Sequence, residues 1–111
     1  MNIPTQSIEQ GFYYHYKHDP VVGITHMCYE VVGVGISTED ECDPKFAHVV
    51  VYRPLYADSS VYTAGKLYWI RPIHMWGNVT KDGKTFPRFK KINEPELVEK
   101  LTRVRHEMYG A

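Results

Sequence analysis

The sequence predicts a mainly β protein: a small antiparallel SH3-like barrel or strongly bent sheet carrying one C-terminal α-helix, with an open α+β sheet as the alternative. Three observations carry this reading. Five or six short runs rich in Val, Ile, Tyr, Phe and Trp are separated by turns built from Gly, Pro and Asp. The apolar period lengthens from two to about 3.6 residues only in the last segment. A chain of 111 residues that is 43% hydrophobic and 23% charged has room for one domain, residues 1–111, and can bury a core without disulfides or metal.

The elements follow in order. Residues 11–17, Gly-Phe-Tyr-Tyr-His-Tyr-Lys, form an aromatic strand. Asp19-Pro20 and Gly23 mark residues 19–27 as a loop. The β-branched run 28–37 is a strand in which Gly33 and Gly35 signal a bulge or close backbone packing. An acidic turn occupies 38–44, and 46–53 is a further strand. A polar loop at 55–65 leads to a strand at 66–76. Asp82-Gly83 then joins strands 78–81 and 84–89 as a hairpin, which completes a β core over 11–89. The helix spans about 94–109, with Asn93 as cap and Glu96 three residues later as the capping-box partner. Leu97, Leu101, Val104 and Met108 share one face. Glu96/Lys100, Glu99/Arg103 and Arg103/Glu107 stand four apart on the other, and Gly110 ends the helix.

Composition excludes several classes. Thirteen basic and thirteen acidic residues leave no net charge, which excludes a uniform polycation or an acidic tail. The charge is segregated, however: residues 1–65 carry three basic and eight acidic groups, residues 66–93 seven and one, residues 94–111 three and four. Two cysteines, Cys28 and Cys42, are too few for a disulfide scaffold. The first ten residues lack a signal-peptide pattern, and no apolar run approaches a membrane span. The expectation is a cytoplasmic protein without membrane contact.

The strands carry a set of ordered motifs: Gly11-x-Tyr13-x-His15-Tyr16-Lys17, Tyr29-Glu30-Val31-x-Gly33-Val34, Val50-Val51-Tyr52-Arg53-x-Leu55-Tyr56 and Leu67-x-Trp69-Ile70-Arg71-Pro72. Met75-Trp76, Val79, Gly83 and Pro87-Arg88-Phe89 follow. Over residues 11–89 this series resembles the bacterial domain-of-unknown-function family 1653. The resemblance implies a small β-barrel and brings no activity or catalytic residues with it. The chain departs from the family pattern in a longer insert at 18–27, an extended loop at 57–65, and Ile36-Ser37-Thr38-Glu39 in place of a His-Ser-Glu stretch.

Three arginines flank prolines, Arg53-Pro54, Arg71-Pro72 and Pro87-Arg88. A residue before proline is extended, and by alternation Arg71 shares a face with Trp69 and Ile73, and Arg53 with Val49 and Val51. A guanidinium on an apolar face needs an anion, a carbonyl or a ring. Two readings follow: a bound anion, or internal pairing of the arginines with Glu30 or the 39–43 acids and stacking on tyrosines. The first gives the leading function, a non-catalytic module that binds a peptide, protein or small anion through His15, Tyr16, Tyr52, Arg53, Trp69, Arg71 and Arg88.

The alternative is nucleic-acid binding through the 81–91 hairpin, with Lys81, Lys84, Arg88, Lys90 and Lys91 interleaved with Phe86 and Phe89. The third is a small hydrolase or transferase using His15, which requires His15, Arg53 and Arg71 to converge. No catalytic residue, metal ligand or cofactor is assigned. His15, His18, His26 and Cys28 match no closed zinc spacing, and Glu39 to Asp43 lacks the glycine of a calcium loop. Neither Cys42 with His48 nor Ser37 has a nucleophile motif around it.

Overall fold

The computed structural model describes residues 8–38, 47–56 and 68–110. The acidic segment Glu39 to Asp43 with Cys42, the loop 57–65, and Lys66 and Leu67 lie outside the described residues. Seven strands appear among those described: β1 (Gly11–His15), β2 (Cys28–Ile36), β3 (His48–Pro54), β4 (Trp69–Pro72), β5 (Asn78–Lys81), β6 (Lys84–Pro87) and β7 (Phe89–Lys91). Five form one sheet in the order β4-β3-β2-β1-β7, and β5 with β6 makes a separate hairpin. Every pairing is antiparallel.

Of the two forms expected, the strongly bent sheet is the one that forms. The ladder is open among the described residues, so the barrel does not close. The register of β2 on β3 shifts between Val31 and Gly33, a bulge that bends the strand. Past β4 the chain turns through a short 3₁₀ segment, Ile73–Met75, and brings Trp76 onto Phe89 of β7. The two edges therefore meet through side chains rather than through a ladder.

Proline sets two boundaries that the apolar pattern hides. The strand expected at 66–76 ends at Pro72, where the 3₁₀ turn begins. The strand expected at 84–89 is two strands: β6 ends at Pro87, and β7 crosses to pair with β1. Arg88 bridges them, its N–H donating to the Gly77 carbonyl at 3.3 Å and its carbonyl accepting from Tyr16 N–H at 2.9 Å. The hairpin turn is as expected, with φ of 54° at Asp82 and 74° at Gly83, the left-handed pair of a type I′ turn.

Helix α1 (Pro95–Tyr109) begins with Glu94 as N-cap and no side-chain cap hydrogen bond, so Asn93 does not cap it and the capping box does not form. Pro95 at the first helical position fixes φ there and moves the start one residue on. Gly110 closes it in the left-handed conformation, donating to the His106 carbonyl at 2.8 Å.

Strand alternation divides the interior in two. On one side Phe12, Cys28, Leu55, Ile92 and Leu101 form an aliphatic core, with Leu97, Val98, Val104 and Tyr109 of the helix against it. On the other, Tyr13, Tyr29, Val31, Val50, Tyr52, Trp76 and Phe89 form an aromatic core. The insert at 18–27 is tied back locally: Tyr14 stacks on His18 at 3.5 Å, the Tyr14 hydroxyl donates to the Ile24 carbonyl, and Asp19 N–H donates to His26 Nδ1. Among the described residues no helix is long and apolar enough to cross a membrane.

Candidate functional site

The register decides which arginines meet. Tyr52 faces Trp69 and Val50 faces Arg71 across β3 and β4, so Trp69 and Arg71 lie on the aromatic side. His15 pairs with Phe89 and is two residues from Tyr13, which places it on that side too. Arg53, one residue beyond Tyr52, points to the helix side.

On the helix side Arg53 is consumed internally. Its Nε donates to Glu30 Oε1 at 2.9 Å, and Arg105 of α1 donates to Glu30 Oε2 at 3.0 Å. Glu30 and Arg53 side chains are only 10% and 11% exposed. The Arg53 guanidinium stacks 3.9 Å from the Tyr109 ring centroid, and the Tyr109 hydroxyl donates to the Pro54 carbonyl. Glu30 thus holds sheet to helix between two cations, the internal pairing named above as the second reading of the arginines. A cleft of about 330 Å³ borders this cluster, lined by Gln10, Phe12, Glu30, Arg53 and Arg105 among others.

On the aromatic side the outcome is different. Arg71 lies over the Phe89 ring at 5.5 Å, and its Nη1 makes a long 3.4 Å contact with the Met75 carbonyl. Among the described residues the Nε atoms of Arg71 and Arg88 are buried with no hydrogen-bond partner, as are Arg105 Nε on the helix side and His48 Nε2. Among the described residues neither Arg71 nor Arg88 forms an ion pair. His15 sits edge-on to Phe89 at 5.2 Å and against Tyr16 at 4.4 Å. Burial, with the positive charges of Arg88, Lys17 and Arg71, lowers its pKa from 6.5 to about 4. The backbone N–H of Lys17 donates to His15 Nδ1 at 3.1 Å, so in the neutral ring the proton sits on Nε2. Tyr29, hydrogen-bonded to Tyr56 at 2.9 Å, lies within electrostatic reach of Arg71, although burial raises its pKa overall.

Of the residues singled out from sequence, His15, Trp69 and Arg71 share this side by register, Tyr16 contacts the His15 ring and Arg88 bears on His15 through its charge, whereas Arg53 lies on the helix side. Tyr52 is 6% exposed and belongs to the core rather than to a surface. The three-way convergence of His15, Arg53 and Arg71 that a small hydrolase or transferase would use does not form. Lys17 and Tyr29 were not singled out as site residues; the strand alternation Tyr13, His15 and the Tyr13-to-Tyr29 pairing are the signals that locate them. The basic hairpin keeps Lys81 and Lys84 exposed and directly opposed, but Lys91 pairs with Glu9 at 3.3 Å. Phe89 is in the core and offers no ring face for stacking a base, while Phe86 is half-buried and meets Tyr16 at 5.1 Å. His15, His18, His26 and Cys28 do not gather: among the described residues no three His, Cys, Asp or Glu side chains cluster as metal ligands would.

Together these features define a small protein in which a curled antiparallel sheet carries a helix on one side and a cluster of cationic and aromatic side chains on the other. The chain belongs to the family described as "Protein of unknown function (DUF1653)", which matches residues 11–91. It is similar to a crystal structure of a protein of that family from Bordetella bronchiseptica, with 30% sequence identity and a TM-score of 0.52, over 81% of this chain and 94% of the other. No curated protein matches the chain.

Proposed function

We propose that this domain is a non-catalytic binding module that holds a small anion on its aromatic side between Arg71, Arg88 and His15. One observation carries the reading: among the described residues, two guanidinium groups near a histidine have neither an acceptor for their buried Nε–H nor a carboxylate to offset their charge. A buried donor without an acceptor costs about 1–3 kcal/mol. Charge-assisted hydrogen bonds to an anion remove that cost and neutralise the local positive charge. The Glu30 cluster marks the difference: Arg105 also keeps a buried Nε without a partner, but its charge is offset by Glu30, whereas no carboxylate of the described residues offsets Arg71 or Arg88.

Thermal unfolding in a panel of small anions at constant ionic strength tests the reading. A ligand at a hundred times its Kd adds about 2.7 kcal/mol by mass action, a shift in Tm of about ten degrees for a domain this size. At least one anion raises the Tm of the wild-type protein, Arg71→Met and Arg88→Met abolish the rise, and Lys81→Met keeps it. Equal shifts in all four proteins would remove the site.

A further inference from the structure

Resting on that anion site, we infer that its ligand is a phosphoryl group, free or as a phosphate monoester, rather than a carboxylate. Donor number and charge favour phosphoryl. Among the described residues each of Arg71 and Arg88 keeps its Nε–H and a neighbouring Nη uncommitted. His15 adds an Nε2–H, because Lys17 N–H occupies its Nδ1. Two guanidinium forks and one imidazole N–H present about five donors, more than the roughly four lone-pair positions of a carboxylate. A phosphoryl group brings three terminal oxygens and up to two negative charges. Those charges match two arginines whose charge no acid of the described residues offsets.

The surroundings agree. The groups that bear on His15 are Arg88 from the β6–β7 bend, Lys17 in the turn that follows β1 and Arg71 from β4, all positive. Burial in this company keeps the ring neutral, so at neutral pH it donates from Nε2 without adding a third full charge. A bound dianion reverses the local field and draws the His15 pKa upward. Tyr16, beside His15, and Trp69, on the same side of the sheet, give an aromatic wall for an organic group esterified to the phosphate.

Calorimetric titration at pH 7.5 with inorganic phosphate, phenyl phosphate and acetate, at equal ionic strength, tests the inference, with the His15 imidazole signals followed by NMR. Phosphate binds at least tenfold tighter than acetate, raises the His15 pKa, and loses tenfold or more in affinity in Arg71→Met, Arg88→Met and His15→Gln. Phenyl phosphate binding tighter than inorganic phosphate identifies the monoester as the source; equal affinity identifies free phosphate. Acetate binding as tightly as phosphate, with both lost in the arginine variants, overturns the phosphoryl assignment and leaves the anion site standing. No binding of any anion to the wild-type protein, or binding unchanged in all variants, overturns both.

Discussion

Trp76 and Phe89 stack face to face, 3.9 Å between ring centroids and 12° from parallel, although Trp76 follows the β4 edge and Phe89 opens β7 at the other edge. Tyr13 and Tyr52 meet the Trp76 ring edge-on at 5.6 and 5.2 Å. This contact holds the sheet curled and supplies the ring under Arg71. Trp76→Ala is expected to cost about 3–5 kcal/mol, read as a lower urea midpoint. A loss under about 1 kcal/mol would mean that the stack does not hold the two edges together.

Glu30 joins β2, β3 and α1 through Arg53 and Arg105, with the Glu30 and Arg53 side chains nearly buried. Glu99 and Arg103 pair at 2.7 Å on the helix surface, with side chains 66% and 72% exposed. Removing one partner of a buried pair strands the remaining charges, whereas an exposed pair is worth little. Glu30→Ala should therefore destabilise by about 3–5 kcal/mol and Glu99→Ala by under about 1 kcal/mol. Denaturation curves of the two variants check the contrast, and equal losses would contradict it.

His15 gives the fold a pH dependence whose sign is fixed. Its folded pKa, about 4, lies below the unfolded value of 6.5. Between these values the unfolded chain takes up a proton that the folded ring refuses, so stability falls as pH drops from 6.5 towards 4 and this contribution levels off below that. His15→Gln, which cannot titrate, should show a shallower fall in Tm than wild type over this window and the same slope above pH 7. Parallel curves from pH 7 to pH 4 would contradict the buried, cation-flanked setting.

Cys28 is fully buried, and burial pushes its thiol up to about 12. A thiolate is the reactive form. In a Cys42→Ser background, where only Cys28 remains, a thiol reagent at pH 8 should label the folded protein hardly at all and label it fully in denaturant. Rapid labelling of the folded protein would show that the aliphatic core opens there.

Much of the fold is readable from local rules. The alternation in Gly11–His15 and His48–Pro54, the Asp82-Gly83 turn and the Leu97/Leu101/Val104 stripe each act within a few residues, where sterics and burial leave little choice. Register is different. Alternation alone assigns Arg53 and Arg71 each to a face of its own strand, and only the pairing of Tyr52 with Trp69 shows that the two faces are opposite. That pairing is set by packing between strands distant in sequence, which no local window contains. The same holds for Arg105, which reaches Glu30 across 75 residues of chain. Prolines 72, 87 and 95 moved three boundaries for one local reason, the missing N–H and fixed φ.

On the proposed reading Arg71 and Arg88 hold one anion together. A nitrogen–proton correlation spectrum of the arginine Nε–H groups, recorded as inorganic phosphate is added at constant ionic strength, tests this. The Nε–H signals of Arg71 and Arg88 should move together and saturate on one binding curve, while that of Arg53, fixed on Glu30, stays in place. Signals of Arg71 and Arg88 that remain still, or that drift without saturation like those of exposed arginines, would contradict the claim.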